Sequence, residues 1–166
     1  AGIKVALSGL GGDEIFAGYS SFRTVPRMER FAERWRHLPG IVRKLLADTY
    51  SAIMPASDQT GKLVSLVRDN GRLIHPYFLS RMLFTTDQCD QLLARNQSVT
   101  SGRLAVPLAS VVESAQSLDA VNRVSYLEAR CYMLNTLLRD SDFMSMAHGL
   151  EVRVPLIDHR LAERVL

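Results

Sequence analysis

After a short apolar run, Ile3–Leu7, the chain carries Ser8-Gly9-Leu10-Gly11-Gly12-Asp13-Glu14. Glycines at such a strand-to-helix turn allow positive φ and close approach of a ligand to the backbone. N–H groups at the helix start form an anion nest. Asp13 and Glu14 are at odds with a bare phosphate there, because carboxylates repel it. A divalent cation between carboxylate and phosphate removes the conflict, and Mg²⁺ is commonly held by one or two acids plus phosphate oxygens. These residue types therefore point to a metal–polyphosphate site, although they would also serve an ordinary tight turn and an acid-capped helix. No Gly-Lys-Ser/Thr follows, so this is not a Walker loop, and the glycine spacing is not G-x-G-x-x-G.

A second concentration of chemistry lies in Leu137–Glu163, where Arg139, Asp140, Asp142, Glu151, Arg153 and Asp158 stand among apolar residues. Charges in an apolar setting must pair or bind something. The pattern predicts a structural network of Arg139, Asp142, Glu151, Arg153 and Asp158, in which Arg153 meets Glu151 or Asp158 and fixes a turn around Pro155. Met144 and Met146 read as core. His148, beside Gly149, reads as structural although it could titrate near neutrality. Ser145 has no partners that spacing alone would assemble into a hydrolase triad.

The elements that position these residues are mainly helical. Ile3–Leu7 suits a strand buried on both faces, as in a parallel sheet. No later segment reads as a second strand, so its neighbours are expected outside this sequence, with an apolar patch and self-association as the result. Helices are expected over Asp13–Ser20, from near Pro26 to His37, over Ile41–Met54, and after a loop at Ala56–Gly61 up to Asn70-Gly71. His75-Pro76 opens a segment through Phe84, Thr86 caps another to Arg95, and Asn96–Gly102 is polar loop. Leu118–Arg139 is the longest periodic run, with Asp119 complementing its dipole and an apolar face broad enough for a central helix. Pro155 breaks the chain before a last helix over Ile157–Leu166.

With 166 residues the chain is one domain or a piece of one. No apolar run approaches the roughly 20 residues of a membrane span. Cys89 and Cys131 have neither metal-ligand spacing nor framework density and read as thiols of an intracellular protein. The net charge of +3 is mild. Its one concentration runs from Arg23 to Lys44, where Arg23, Arg27, Arg30 and Arg34 fall on a single helical stripe that reads as a solvated or partner-facing face. Without aromatic interleaving or a known module, a nucleic-acid partner is not expected.

Together the two motifs resemble the synthetase domain of glutamine-hydrolysing asparagine synthetases. That family carries Ser-Gly-acid-Gly-x-Asp-Glu-(Leu/Val/Ile)-Phe-(Gly/Ala)-Gly-Tyr. About 130 residues further on comes Asp-(Lys/Arg)-Met-Ser-Met-Ala-x-x-Leu-Glu-Val-Arg-Val-Pro-Phe-Leu-Asp, matching Ser8–Tyr19 and Asp142–Asp158 here. The resemblance implies a parallel α/β nucleotide-binding core of the ATP pyrophosphatase type, followed by helices. Residues 1–166 would be the C-terminal part of that domain. The pyrophosphate loop and an N-terminal glutaminase domain of the same chain would lie upstream, and these residues alone would be inactive.

The resemblance further implies a cytoplasmic ligase that uses ATP and Mg²⁺ to adenylate a carboxylate, aspartate or a related acid, for attack by glutamine-derived ammonia. It allows a homodimer. Ser8 and Gly9 would contact the nucleotide, Gly11 and Gly12 would belong to the pyrophosphate loop, and Asp13 would hold the metal. Two positions depart from the pattern. Leu10 stands where asparagine-forming members carry a glutamate that helps deprotonate ammonia. Phe143 stands where they carry the Lys or Arg that neutralises phosphate charge. Loss of an acid and a base together suggests altered chemistry, so the catalytic residues are left open. The alternative is a non-catalytic or altered-acceptor homologue serving as a binding module.

Overall fold

The two motif segments meet as strands: β1 (Val5–Leu7) pairs in parallel with β2 (Glu151–Arg153), with Val5 opposite Glu151, Ala6 opposite Val152 and Leu7 opposite Arg153. The pairing is seen in a computed structural model that describes residues 2–55, 57–68, 75–85, 88–89, 92 and 100–165. It corrects the expectation of a strand without a partner in this sequence, and removes that ground for expecting self-association. Three residues flanked by charge are too short to signal a strand; pairing with β1 supplies what local pattern does not. Ile3, Val5 and Leu7 are nevertheless exposed.

The chain divides into two compact units, Ala1–Phe22 with Ala115–Leu166, and Arg23–Ser114. The first holds β1, the single-turn helix α1 (Gly12–Ile15) and the start of α2 (Ser21–Arg36). It resumes at the end of α6 (Thr100–Ala115) and continues with α7 (Ala120–Leu127), a π-helical stretch (Glu128–Leu137) and α8 (Leu138–Ala147). β2, a 3₁₀ turn (Pro155–Ile157) and α9 (His159–Val165) complete it. Phe22, Ala115, Val124 and Leu127 form its buried apolar residues.

Asp119 caps α7 by accepting from the N–H groups of Val121 at 2.9 Å and Asn122 at 3.2 Å. The long periodic run is therefore a helix, but it continues past Arg139 to Ala147, and ten of its residues are π-helical. Within that stretch the Asn135 amide donates to the carbonyls of Arg130 and Cys131, each at 3.0 Å. A side chain drawing on backbone acceptors in this way competes with the regular helical ladder.

The second unit holds most of α2, then α3 (Gly40–Ile53), α4 (Asp58–Arg68), α5 (Pro76–Arg81) and most of α6. Ala47, Val64 and Val67 form its core, with Phe31, Trp35 and Tyr50 packed against them. α2 begins at Ser21 rather than near Pro26, which it accommodates internally. α4 begins at Asp58, inside the expected loop. Thr86 lies outside the described residues; the capping box there joins Thr85 and Gln88, whose side chains bond each other's N–H groups at 3.3 and 2.7 Å. The polar stretch expected to be loop gives way at Thr100 to α6.

Candidate functional site

The glycine-rich loop is shaped by the second motif. Ser8 donates its N–H to the Arg153 carbonyl at 2.8 Å, directly extending the ladder. Gly11 has φ +92°, and a Cβ there would lie 2.4 Å from Ile157 Cγ2; one on Gly12 would lie 3.0 Å from Leu156 Cδ1. Gly11 is thus required by the 3₁₀ turn Pro155–Ile157, whereas at Gly12 the end of the Leu156 side chain would have to give a little. Gly9 differs: a Cβ there would meet nothing within 4 Å, so the loop is open at that point. The Leu10 N–H is taken by Ser8 Oγ at 3.3 Å and the Gly12 N–H by the Gly9 carbonyl at 3.3 Å, so these two donors are spent within the loop.

α1 is a single turn and not the longer helix expected to Ser20. Ala17 has φ +59°, and Gly18 returns its N–H to the Asp13 carbonyl at 2.9 Å, which ends the helix. The two acids of the motif separate here. Asp13 is exposed, whereas Glu14 is 1% exposed. The Glu14 carboxylate accepts the Tyr19 hydroxyl at 3.0 Å, and its carbonyl accepts the buried Ser125 hydroxyl at 2.6 Å. Tyr19 stacks edge-on against Tyr132, with ring centroids 6.2 Å apart. A second buried carboxylate, Glu128, accepts the Ser21 hydroxyl at 2.5 Å. Burial, followed by the hydrogen bond and charge of Glu14, pushes the Tyr19 phenol well above its ordinary pKa.

Glu14, Ser21, Ser125 and Glu128 are buried and, with half-buried Tyr19, tie the segment after the loop to the long helix; the set was not recognised in the sequence. The available signal is a lone acid, Glu128, inside the broad apolar stripe of the longest helix. Cys131, half-buried on the same helix, has its thiol pKa raised by burial and by Glu128.

In the second motif, Arg153 Nε donates to Glu151 Oε1 at 2.7 Å, and both side chains are exposed. Asp158 does not join them: its carboxylate accepts the Arg160 N–H at 2.8 Å and lies 3.7 Å from His159. Arg139 and Asp142 are exposed on α8, with no side-chain bond to the others among the described residues. Met144 and Met146, expected in the core, are also exposed, as is Phe143 at 75%. Phe143, Met144 and Met146 therefore do not enclose these charges, which are themselves exposed. Leu10 is half-buried.

Among the described residues, no three His, Cys, Asp or Glu side chains gather into a cluster. Mg²⁺ is commonly held by only one or two carboxylates, with phosphate oxygens and water completing the shell. Asp13, exposed on α1, would supply that carboxylate. No helix among the described residues is long and apolar enough to cross a membrane.

The family model described as asparagine synthase matches residues 1–166, and the chain belongs to that family. Over 156 residues it is 31% identical to asparagine synthetase (glutamine-hydrolysing) 1 of Bacillus subtilis, covering 94% of this chain and 23% of the relative. It is 29% identical over 157 residues to a Mycobacterium tuberculosis H37Rv protein provisionally named asparagine synthetase (glutamine-hydrolysing), covering 94% and 22%. The chain thus spans less than a quarter of the length of these relatives. No solved structure matches it.

Proposed function

We propose that these residues form part of a cytoplasmic ATP-dependent, glutamine-hydrolysing amidotransferase. In this reading the enzyme adenylates aspartate or a related carboxylate for attack by ammonia. The observation that carries the reading is the Ser8 N–H bond to the Arg153 carbonyl, which joins the two family motifs into one unit. Ser8 and Gly9 would contact the nucleotide, Gly11 and Gly12 would shape the pyrophosphate side, and Asp13 would hold Mg²⁺, which supplies charge neutralisation of the polyphosphate. The rest of the phosphate cradle and the glutaminase function belong to other parts of the full-length protein. A single electrostatic group at such a site is worth about 3–4 kcal/mol in the transition state. The test is pyrophosphate release by the full-length protein with Mg·ATP, aspartate and either glutamine or ammonia. Release that depends on both acid and nitrogen donor is the expected result; ATP turnover indifferent to every carboxylate offered would defeat the reading.

Leu10 and Phe143 favour a second reading, in which the family fold serves an altered acceptor or a binding role. It predicts nucleotide binding without asparagine formation in the same assay.

A further inference from the structure

We propose that Gly18 is a positioning residue for Asp13, acting through the space it leaves for the Asp13 carboxylate. A Cβ on Gly18 would lie 2.0 Å from Asp13 Oδ1, 2.8 Å from its Cγ and 3.1 Å from its Cα. Real Cβ atoms do not approach that closely, so the rotamer in which Asp13 stands exists only because residue 18 has no side chain. The backbone is turned to make this contact: Ala17 adopts φ +59°, a conformation L residues seldom take, and the Gly18 N–H returns to the Asp13 carbonyl at 2.9 Å. Gly18 itself is not in the left-handed region, so its own φ does not demand glycine. The demand comes from the carboxylate. Left-handed strain beside a group proposed for ligand work matches the tendency of strained backbone to gather at functional sites.

The inference rests on Asp13 as the Mg²⁺ ligand, and the experiment separates the two claims. Full-length protein is prepared unchanged, as Gly18→Ala, as Asp13→Asn, and as the double variant Asp13→Ala/Gly18→Ala. Calorimetry measures Mg²⁺-dependent binding of inorganic pyrophosphate, and thermal melts report folding. An added methyl meets mainly the end of a short side chain, which can rotate aside, so Gly18→Ala is expected to stay folded. Its half-saturating Mg²⁺ concentration should rise about 10–100-fold, as for loss of an outer-shell support. In kinetic assays the required Mg²⁺ concentration should rise more than kcat at saturating Mg²⁺ falls. Should Asp13→Asn lose the Mg²⁺ response while Gly18→Ala keeps it, the positioning role is wrong and the ligand assignment survives. If neither variant alters the response, both fall together. If Gly18→Ala does not fold, the double variant decides: recovery of folding on removing the carboxylate supports the proposal, and continued failure overturns it.

Discussion

Tyr19 donates its hydroxyl over 3.0 Å to Glu14 Oε1, the buried one of two adjacent acids. Glu14 is withdrawn from solvent while Asp13, its neighbour, remains open to it. Tyr19→Phe would leave the buried carboxylate without its phenol donor. The expected loss is about 1–3 kcal/mol of folding free energy, measured by urea denaturation at neutral pH. Glu14→Gln keeps an acceptor for the phenol and should cost less.

The same pair predicts an alkaline effect. The folded-state pKa of Tyr19 is raised, chiefly by burial, so the unfolded chain loses this proton first as pH rises. Stability from the neutral phenol is complete below the unfolded value of about 10 and declines above it. Tyr19→Phe has no such proton. The stability gap between unchanged protein and variant should therefore narrow from pH 9 to pH 11, read as converging urea midpoints; a constant gap would contradict this.

Gly11→Ala tests the contact between the loop and the turn after β2. It adds left-handed strain to an overlap with Ile157 Cγ2. Together these should cost on the order of 2–5 kcal/mol. Gly9→Ala, placed where a Cβ meets nothing, should be far milder, and paired thermal melts would compare the two.

Asp119 offers an acid-side test. N–H bonds, first from Asn122 and then from Val121, hold its carboxyl below the usual carboxylate range. The stabilisation is present above the unfolded value of about 3.9 and is lost as pH falls through the lower folded value. Asp119→Ala should lower the melting midpoint at neutral pH, with the difference shrinking in strong acid. Asp119→Asn should keep the cap and show no such pH dependence.

Signals that depend on local chemistry were legible in the sequence. The Ser8–Tyr19 and Asp142–Asp158 motifs identified the family, and Asp119 and His75-Pro76 marked helix starts that the structure contains. Signals that depend on distant contacts were not. β2 exists as a strand because β1 lies beside it, and α1 stops after one turn because Ala17 and Gly18 fold back on Asp13. The burial of Glu14 was not legible either: its bonds come from Tyr19 and from Ser125, the latter on a different helix. Met144 and Met146 carried a core signal by composition but stand exposed.

The pairing of Val5 with Glu151 has a consequence for the order in which the molecule is made. The partners are 146 positions apart (151 − 5), with the whole second unit between them. Chains emerge from the ribosome at about 5–20 residues per second, so β1 waits many seconds for its partner, exposed to other strands and to chaperones. The segment Arg23–Ser114 can gather its own core during that interval, whereas the Ser8–Asp13 loop must wait for Arg153 and Ile157 to be translated. The loop therefore takes its observed shape only after the chain has been made through Ile157, and truncation just before β2 would release a molecule with an assembled helical segment and an unformed loop.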